Sequence, residues 1–218
     1  LSTDAVAAMT VQTGWISGWG MLKMTAAQVP HLSETAMANF NTPHFSFWTD
    51  AAYAALLAPQ VAAIETNDML NVRMDKISAS GISGFQAGHI QNYMAPAQQN
   101  RFGLLSSSQI AGFSVSAVSG LHEDQLAKVP PSSIAGFPTD QLSAIFPPTM
   151  YGFTAEQIPY IAPEKFCAFS SAQIGAMGAG AALAVTTEQN DYIGTECPAL
   201  LQSLQKVVAK HRGFYYRR

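Results

Sequence analysis

Gln109, Gln125, Gln141, Gln157, Gln173 and Gln189 fall sixteen residues apart without a slip. Four residues before each stands an apolar residue: Leu105, Leu121, Phe137, Phe153, Phe169 and Val185. Four after stands another: Phe113, Val129, Ile145, Ile161, Met177 and Ile193. Ile110, Leu126, Leu142, Ile158 and Ile174 follow the Gln directly, with Asn190 the exception, and a further apolar column runs through Val118, Ile134, Met150, Phe166 and Ala182. A chain with this period is a series of small supersecondary units, each burying its columns against its neighbours.

The N-terminal part carries the same pattern. "MTAAQVPHLSETAMANF" (24–40) aligns without a gap on "FTAEQIPYIAPEKFCAF" (153–169), and Gln28, His44 and Gln60 keep the sixteen-residue step. Gln12 lies one step earlier and marks a degenerate first unit. Gln60 and Gln109 are 49 residues apart, so the stretch 72–104 holds irregular units, one short and one long.

Ser106, Thr154, Ser170 and Thr186 stand three residues before their Gln. That is a capping box, in which the hydroxyl takes the amide proton three residues on and the Gln reaches back to the cap's own N–H. Asn41 is an equivalent cap, while His122 and Pro138 depart from the pattern. The spacing predicts a first helix of about two turns and a second opened by Pro131, Pro147 or Pro163, where a missing N–H costs nothing. Gly120, Gly136 and Gly152 are expected to close the second helix in the left-handed conformation. Helices shorter than ~12–15 residues are marginal alone in water. The expected fold is therefore all-α: an α-solenoid, a superhelical stack of roughly 16-residue two-helix repeats over residues 1–200. A C-terminal capping helix and basic tail (201–218) follow, with Leu200, Leu201, Leu204, Val207 and Val208 on one stripe and Gly213 as its stop. Two uses of the Gln column stay open at this level: spent on its own cap, or aligned as a polar ladder along a partner-binding face.

Charged residues make up 11% of the chain, against roughly 25% in typical soluble domains. The surface therefore leans on hydroxyl and amide side chains. Residues 1–205 hold 6 basic and 14 acidic residues. That balance argues against nucleic acid, whose recognition by a repeat array needs basic residues at equivalent positions. No apolar run is long enough to span a bilayer. Lys206, Lys210, Arg212, Arg217 and Arg218 make the C-terminus basic, and Tyr215 and Tyr216 beside them are candidate anchors for a protein partner. Trp15 and Trp19, four apart in the weakest unit, are a second candidate patch. Cys167 and Cys197 either form one bridge in an oxidising compartment or are buried free thiols.

The strings "LHEDQLAKVPPSSIAGFPTDQL" (121–142) and "FTAEQIPYIAPEKFCAF" resemble the repeats of the mesothelin, stereocilin and otoancorin family. The resemblance covers the repeat columns over most of 24–200. It implies a superhelix of short helices at a cell surface or in an extracellular matrix, acting in adhesion or attachment rather than catalysis. The chain departs from that family in having no N-x-S/T sequon and no GPI-type apolar tail. No G-x-S-x-G, Walker, H-E-x-x-H or C-x-x-C motif occurs. His44 and His89 occupy the Gln column and are expected to cap, so neither a metal nor a cofactor is expected. The expected function is a non-enzymatic structural or adhesive module for protein partners. An intracellular helical-repeat scaffold is the alternative, and a nucleic-acid-binding array ranks below it.

Overall fold

A computed structural model describes residues 2–8, 24–93 and 96–215. Among these residues the regular structure is all helical, α or 3-10, with no strand. The elements are short because the sequence interrupts them every eight residues or so. Typical pairs are Glu123–Lys128 with Pro131–Ile134, and Ser171–Ala176 with Ala179–Leu183. Val29–His31 and Ile158–Tyr160, the aligned stretches of the first and later repeats, are both 3-10 turns opened by the column Gln. The cause is shared: Pro30 and Pro159 supply no N–H for an α-helical bond. Pro131, Pro147 and Pro163 each open a second element, as their spacing predicts.

Most elements pack on the third one before them, with the contiguous Pro96–Gln99 and Asn100–Leu104 counted as one. Glu123–Lys128 lies on Asn100–Leu104, Pro147–Gly152 on Glu123–Lys128, and Ser171–Ala176 on Pro147–Gly152. A second series runs through Ala79–Ile82, Ser107–Gly112 and Pro131–Ile134, and a third through Ala87–Gln91, Val115–Ser119 and Thr139–Ala144. Stacked elements thus begin about twenty-four residues apart (Glu123, Pro147, Ser171). The sequence repeats every sixteen, so first and second helices alternate along each stack. Equivalent residues therefore do not form a continuous ladder along one face.

The apolar columns meet between the stacks. Phe137, Phe153 and Phe169 are at most 3% exposed, and Leu126, Ile158 and Phe166 are fully buried. Each such side chain contributes roughly 1.5–3 kcal/mol on burial. The irregular stretch keeps the same packing rule: Met74–Lys76 sits on Asp50–Ala54, and Asn100–Leu104 on Met74–Lys76. Here Tyr53 donates its hydroxyl to the carbonyls of Phe45 (2.6 Å) and Asn71 (3.1 Å), and Tyr93 to Val72 (2.9 Å). Burial pushes both phenols well above the ordinary tyrosine range. The nearly buried Asp75 carboxylate takes Arg101 at 3.1 Å and Lys76 at 3.4 Å. The stretch thus neither breaks the stacking nor projects as a separate loop between Val72 and Tyr93.

The glycine column has a different purpose from the one expected. Among the described residues no glycine has a positive φ. Instead, a Cβ at Gly120, Gly136 or Gly152 would overlap the backbone carbonyl oxygen of Ala87, Ser107 or Glu123 respectively, in the element three before. Glycine permits backbone-to-backbone approach between stacked elements. Gly136→Ala should therefore cost about 1–3 kcal/mol, the range for overpacking a close contact. Denaturant unfolding measures it, and an unchanged midpoint would refute the close-approach account.

The C-terminal helix spans Pro198–Tyr215, so Gly213 does not stop it. Leu200, Leu204 and Val207 are buried, and the helix packs on Ser171–Ala176, Ala179–Leu183 and Thr187–Glu196.

Candidate interaction surface

The Gln column looks inward. Gln60, Gln125, Gln141, Gln157, Gln173 and Gln189 are at most 3% exposed. In most units the side-chain oxygen accepts the N–H of the cap: Ser106 to Gln109 at 2.9 Å, His122 to Gln125 at 2.8 Å, Thr154 to Gln157 at 2.9 Å, Ser170 to Gln173 at 2.7 Å and Thr186 to Gln189 at 2.8 Å. Capping is thus the observed use, and a surface ladder is not.

The same amide does a second job. Gln157 Nε2 donates to the carbonyls of Leu126 (2.9 Å) and Val129 (2.8 Å). Gln173 reaches Leu142 and Ile145, each at 2.8 Å; Gln189 reaches Ile158 and Ile161; Gln60 reaches Val29 and Leu32. These acceptors lie 28 and 31 residues back, at the C-terminal end of a short first element; the Leu126 carbonyl takes the staple in addition to the N–H of its own C-cap Val129. Each Gln is a staple between consecutive layers. Smaller donors on the second helices do the same: Ser133 to the Leu105 carbonyl (2.7 Å), Thr149 to Leu121 (2.7 Å) and Lys165 to Phe137 (2.8 Å).

His44 and His89 both stand in for Gln as the accepting half of the box, and His89 also keeps the donating half, to the Ile64 carbonyl. Nδ1 of His44 accepts from Asn41 N–H at 3.1 Å, and Nδ1 of His89 from Gln86 N–H at 3.3 Å. Burial holds His89 below its ordinary pKa of 6.5, opposed in part by its hydrogen bond to the Ile64 carbonyl. A base depressed in the folded state binds fewer protons than the unfolded chain between its two pKa values. Its contribution is therefore complete above pH ~6.5 and falls as pH drops below that. The melting temperature of His89→Gln should lose less than that of the wild type between neutral and mildly acid pH. Parallel curves would refute this.

Pro138 is where the capping box fails. It caps Thr139–Ala144 without an N–H, and the buried Gln141 Oε1 has no partner. Gln141 still staples, to Ala111 (3.2 Å) and Phe113 (2.6 Å). Pro138→Ser restores the missing N–H donor for Gln141 Oε1 and adds a hydroxyl acceptor for the Gln141 N–H, worth about 1–3 kcal/mol, against roughly 0.4–1 kcal/mol of lost proline restriction. A net gain of about 1 kcal/mol should appear as a raised urea midpoint.

With the polar columns spent internally, few large groups remain outside. The most exposed are Leu104 (65%), Phe146 (61%) and Tyr151 (67%). All three belong to the stack of Asn100–Leu104, Glu123–Lys128, Pro147–Gly152 and Ser171–Ala176. Tyr160, off the strict columns, is also exposed. Leu104 and Phe146 carried no weight in the sequence, yet the repeat flags both. Leu104 stands where Gly120, Gly136 and Gly152 stand, and Phe146 where Ser114, Pro130, Ala162 and Gly178 stand. A bulky apolar residue in a small-residue column is unexplained by packing.

Trp15, Trp19, Tyr216, Arg217 and Arg218 lie outside the described residues, as does the side chain of Tyr215. Cys167 and Cys197 form a disulfide, with Cα atoms 5.8 Å apart. Among the described residues no group of three or more His, Cys, Asp or Glu is placed to hold a metal ion, and no helix is long and apolar enough to cross a membrane. No protein-family model, curated protein or solved structure matches this chain.

Proposed function

We propose that this chain is an α-solenoid acting as a non-enzymatic structural or adhesive module, extracellular or at a cell surface, which binds a protein partner along one wall of the stack. The observation that carries the reading is the placement of Leu104 and Tyr151, 65% and 67% exposed, on one stack of a molecule that otherwise buries its apolar columns. Uncovered aromatic and aliphatic side chains on a rigid support are the usual anchors of a protein interface. The layered packing and its side-chain staples give the rigidity, and a stack of short elements extends by adding layers rather than by enclosing a cleft. The disulfide favours an oxidising compartment. The resemblance of the repeat to the mesothelin, stereocilin and otoancorin family points the same way.

The test uses the full chain. Wild-type protein and the double variant Leu104→Ser/Tyr151→Ser are cross-linked to extracellular extract from the source. A partner enriched by wild type and lost with the variant, at unchanged melting temperature, supports the reading. Equal capture by both overturns the wall. Finding Cys167 and Cys197 reduced in protein isolated from its source overturns the extracellular placement in favour of the intracellular scaffold.

A further inference from the structure

A shallow groove of about 280 Å³ lies between this stack and that of Ala87–Gln91 and Val115–Ser119, lined by Gln91, Ser119, His122, Glu123, Phe146 and Pro148 among others. Two of its polar heads are not used by the fold as the rest are. The Gln91 amide and the Glu123 carboxylate make no side-chain hydrogen bond to any described residue, and His122, its side chain 47% exposed, spends Nδ1 on the cap of Glu123–Lys128, taking the Asp124 N–H at 3.5 Å with the Asp124 carboxylate 3.7 Å away. This contrasts with the Gln column, whose amides are committed to carbonyls. The Phe146 ring, 61% exposed, borders these heads in a column that is small in neighbouring units.

We infer that this groove binds a single pyranose unit of a neutral glycan. A pyranose presents two surfaces at once: a face of C–H bonds, and a rim of hydroxyls that each donate and accept. The exposed ring of Phe146 matches the first through its negative π face. The second needs mixed donors and acceptors, which an amide, a carboxylate and an imidazole supply together. An anion is disfavoured by Glu123 and the adjacent Asp124. An extended peptide needs backbone partners along its length, whereas these polar heads gather beside one ring. A volume of about 280 Å³ admits one sugar ring.

The site does not rest on the protein-partner reading, and its residues differ from Leu104 and Tyr151. The experiment is an NMR titration of the full chain with methyl β-D-glucopyranoside, methyl β-D-galactopyranoside, methyl α-D-mannopyranoside and N-acetyl-D-glucosamine. At least one should bind with a Kd in the millimolar range or tighter and shift resonances of the groove. Phe146→Ala and Gln91→Ala should each weaken that binding, the former by ~10-fold or more, with melting unchanged because both side chains are exposed. No binding by any of the four sugars overturns the inference. So does wild-type affinity in Phe146→Ala.

Discussion

Gln157→Glu should destabilise the protein by about 3–5 kcal/mol, although the two side chains are nearly the same shape and a capping box accepts either. The acceptor half is preserved, since a carboxylate oxygen still takes the Thr154 N–H that Gln157 Oε1 takes at 2.9 Å. The donor half is reversed. Where Nε2 now reaches Leu126 and Val129, a carboxylate oxygen would face two carbonyl oxygens in a site 1% exposed. Two hydrogen bonds become two repulsions, and a buried charge gains no cation. Gln157→His should recover most of the loss, because His44 and His89 fill this position in their own units. Gln109→Glu should cost less, since that staple is half-buried and water reaches it. The measurement is the urea midpoint at neutral pH with an unchanged m-value. Equal stability of Gln157→Glu and wild type would leave capping as the whole role of the column.

That experiment also marks how far the chain can be understood without coordinates. The sixteen-residue register, the capping boxes at Ser106, Ser170 and Thr186 and the proline-opened second elements are all local, and each follows from residues within one unit. The stapling is long-range, with donor and acceptor 28 to 35 residues apart, so no window on one unit contains it. A trace of it was nonetheless present. Outside the irregular stretch the column holds Gln or His from Gln28 to Gln189, and never Glu, which a box needing only an acceptor would admit. The missing carboxylate is the signature of an obligatory donor. The three-element layer was harder, because a sixteen-residue repeat and a twenty-four-residue step come into phase only every third unit. The glycines misled for a related reason. Gly136 follows a short helix, which suggests a left-handed cap, whereas the contact that demands it is with Ser107, 29 residues away in sequence. Phe146 was visible as an odd residue in a small-residue column, but only its exposure beside Gln91 and Glu123 turns that oddity into a site.

Replacing both cysteines, Cys167→Ala/Cys197→Ala, should cost about 3–4 kcal/mol, the loop-closure value for a bridge spanning roughly thirty residues. The position of the bridge says more than its magnitude. Its separation of 30 residues falls within the range of the Gln staples, and it joins Pro163–Ala168 to the end of Thr187–Glu196, which packs on it. It is a covalent staple where the polar ones run out. Gln205 lies sixteen residues past Gln189, in register, yet it is exposed in the unbroken C-terminal helix and its side chain makes no hydrogen bond to any described residue. Without the bridge, the last layer is held by Gln189, by packing of Ile193 and by the buried face of Pro198–Tyr215. The loss should therefore be local before it is global. Hydrogen exchange in the double variant, or in reduced wild type, should quicken first in Thr187–Glu196 and the C-terminal helix, while the amides of Glu123–Lys128 keep their protection. Uniform acceleration along the chain would instead mean that all the layers unfold as one cooperative body.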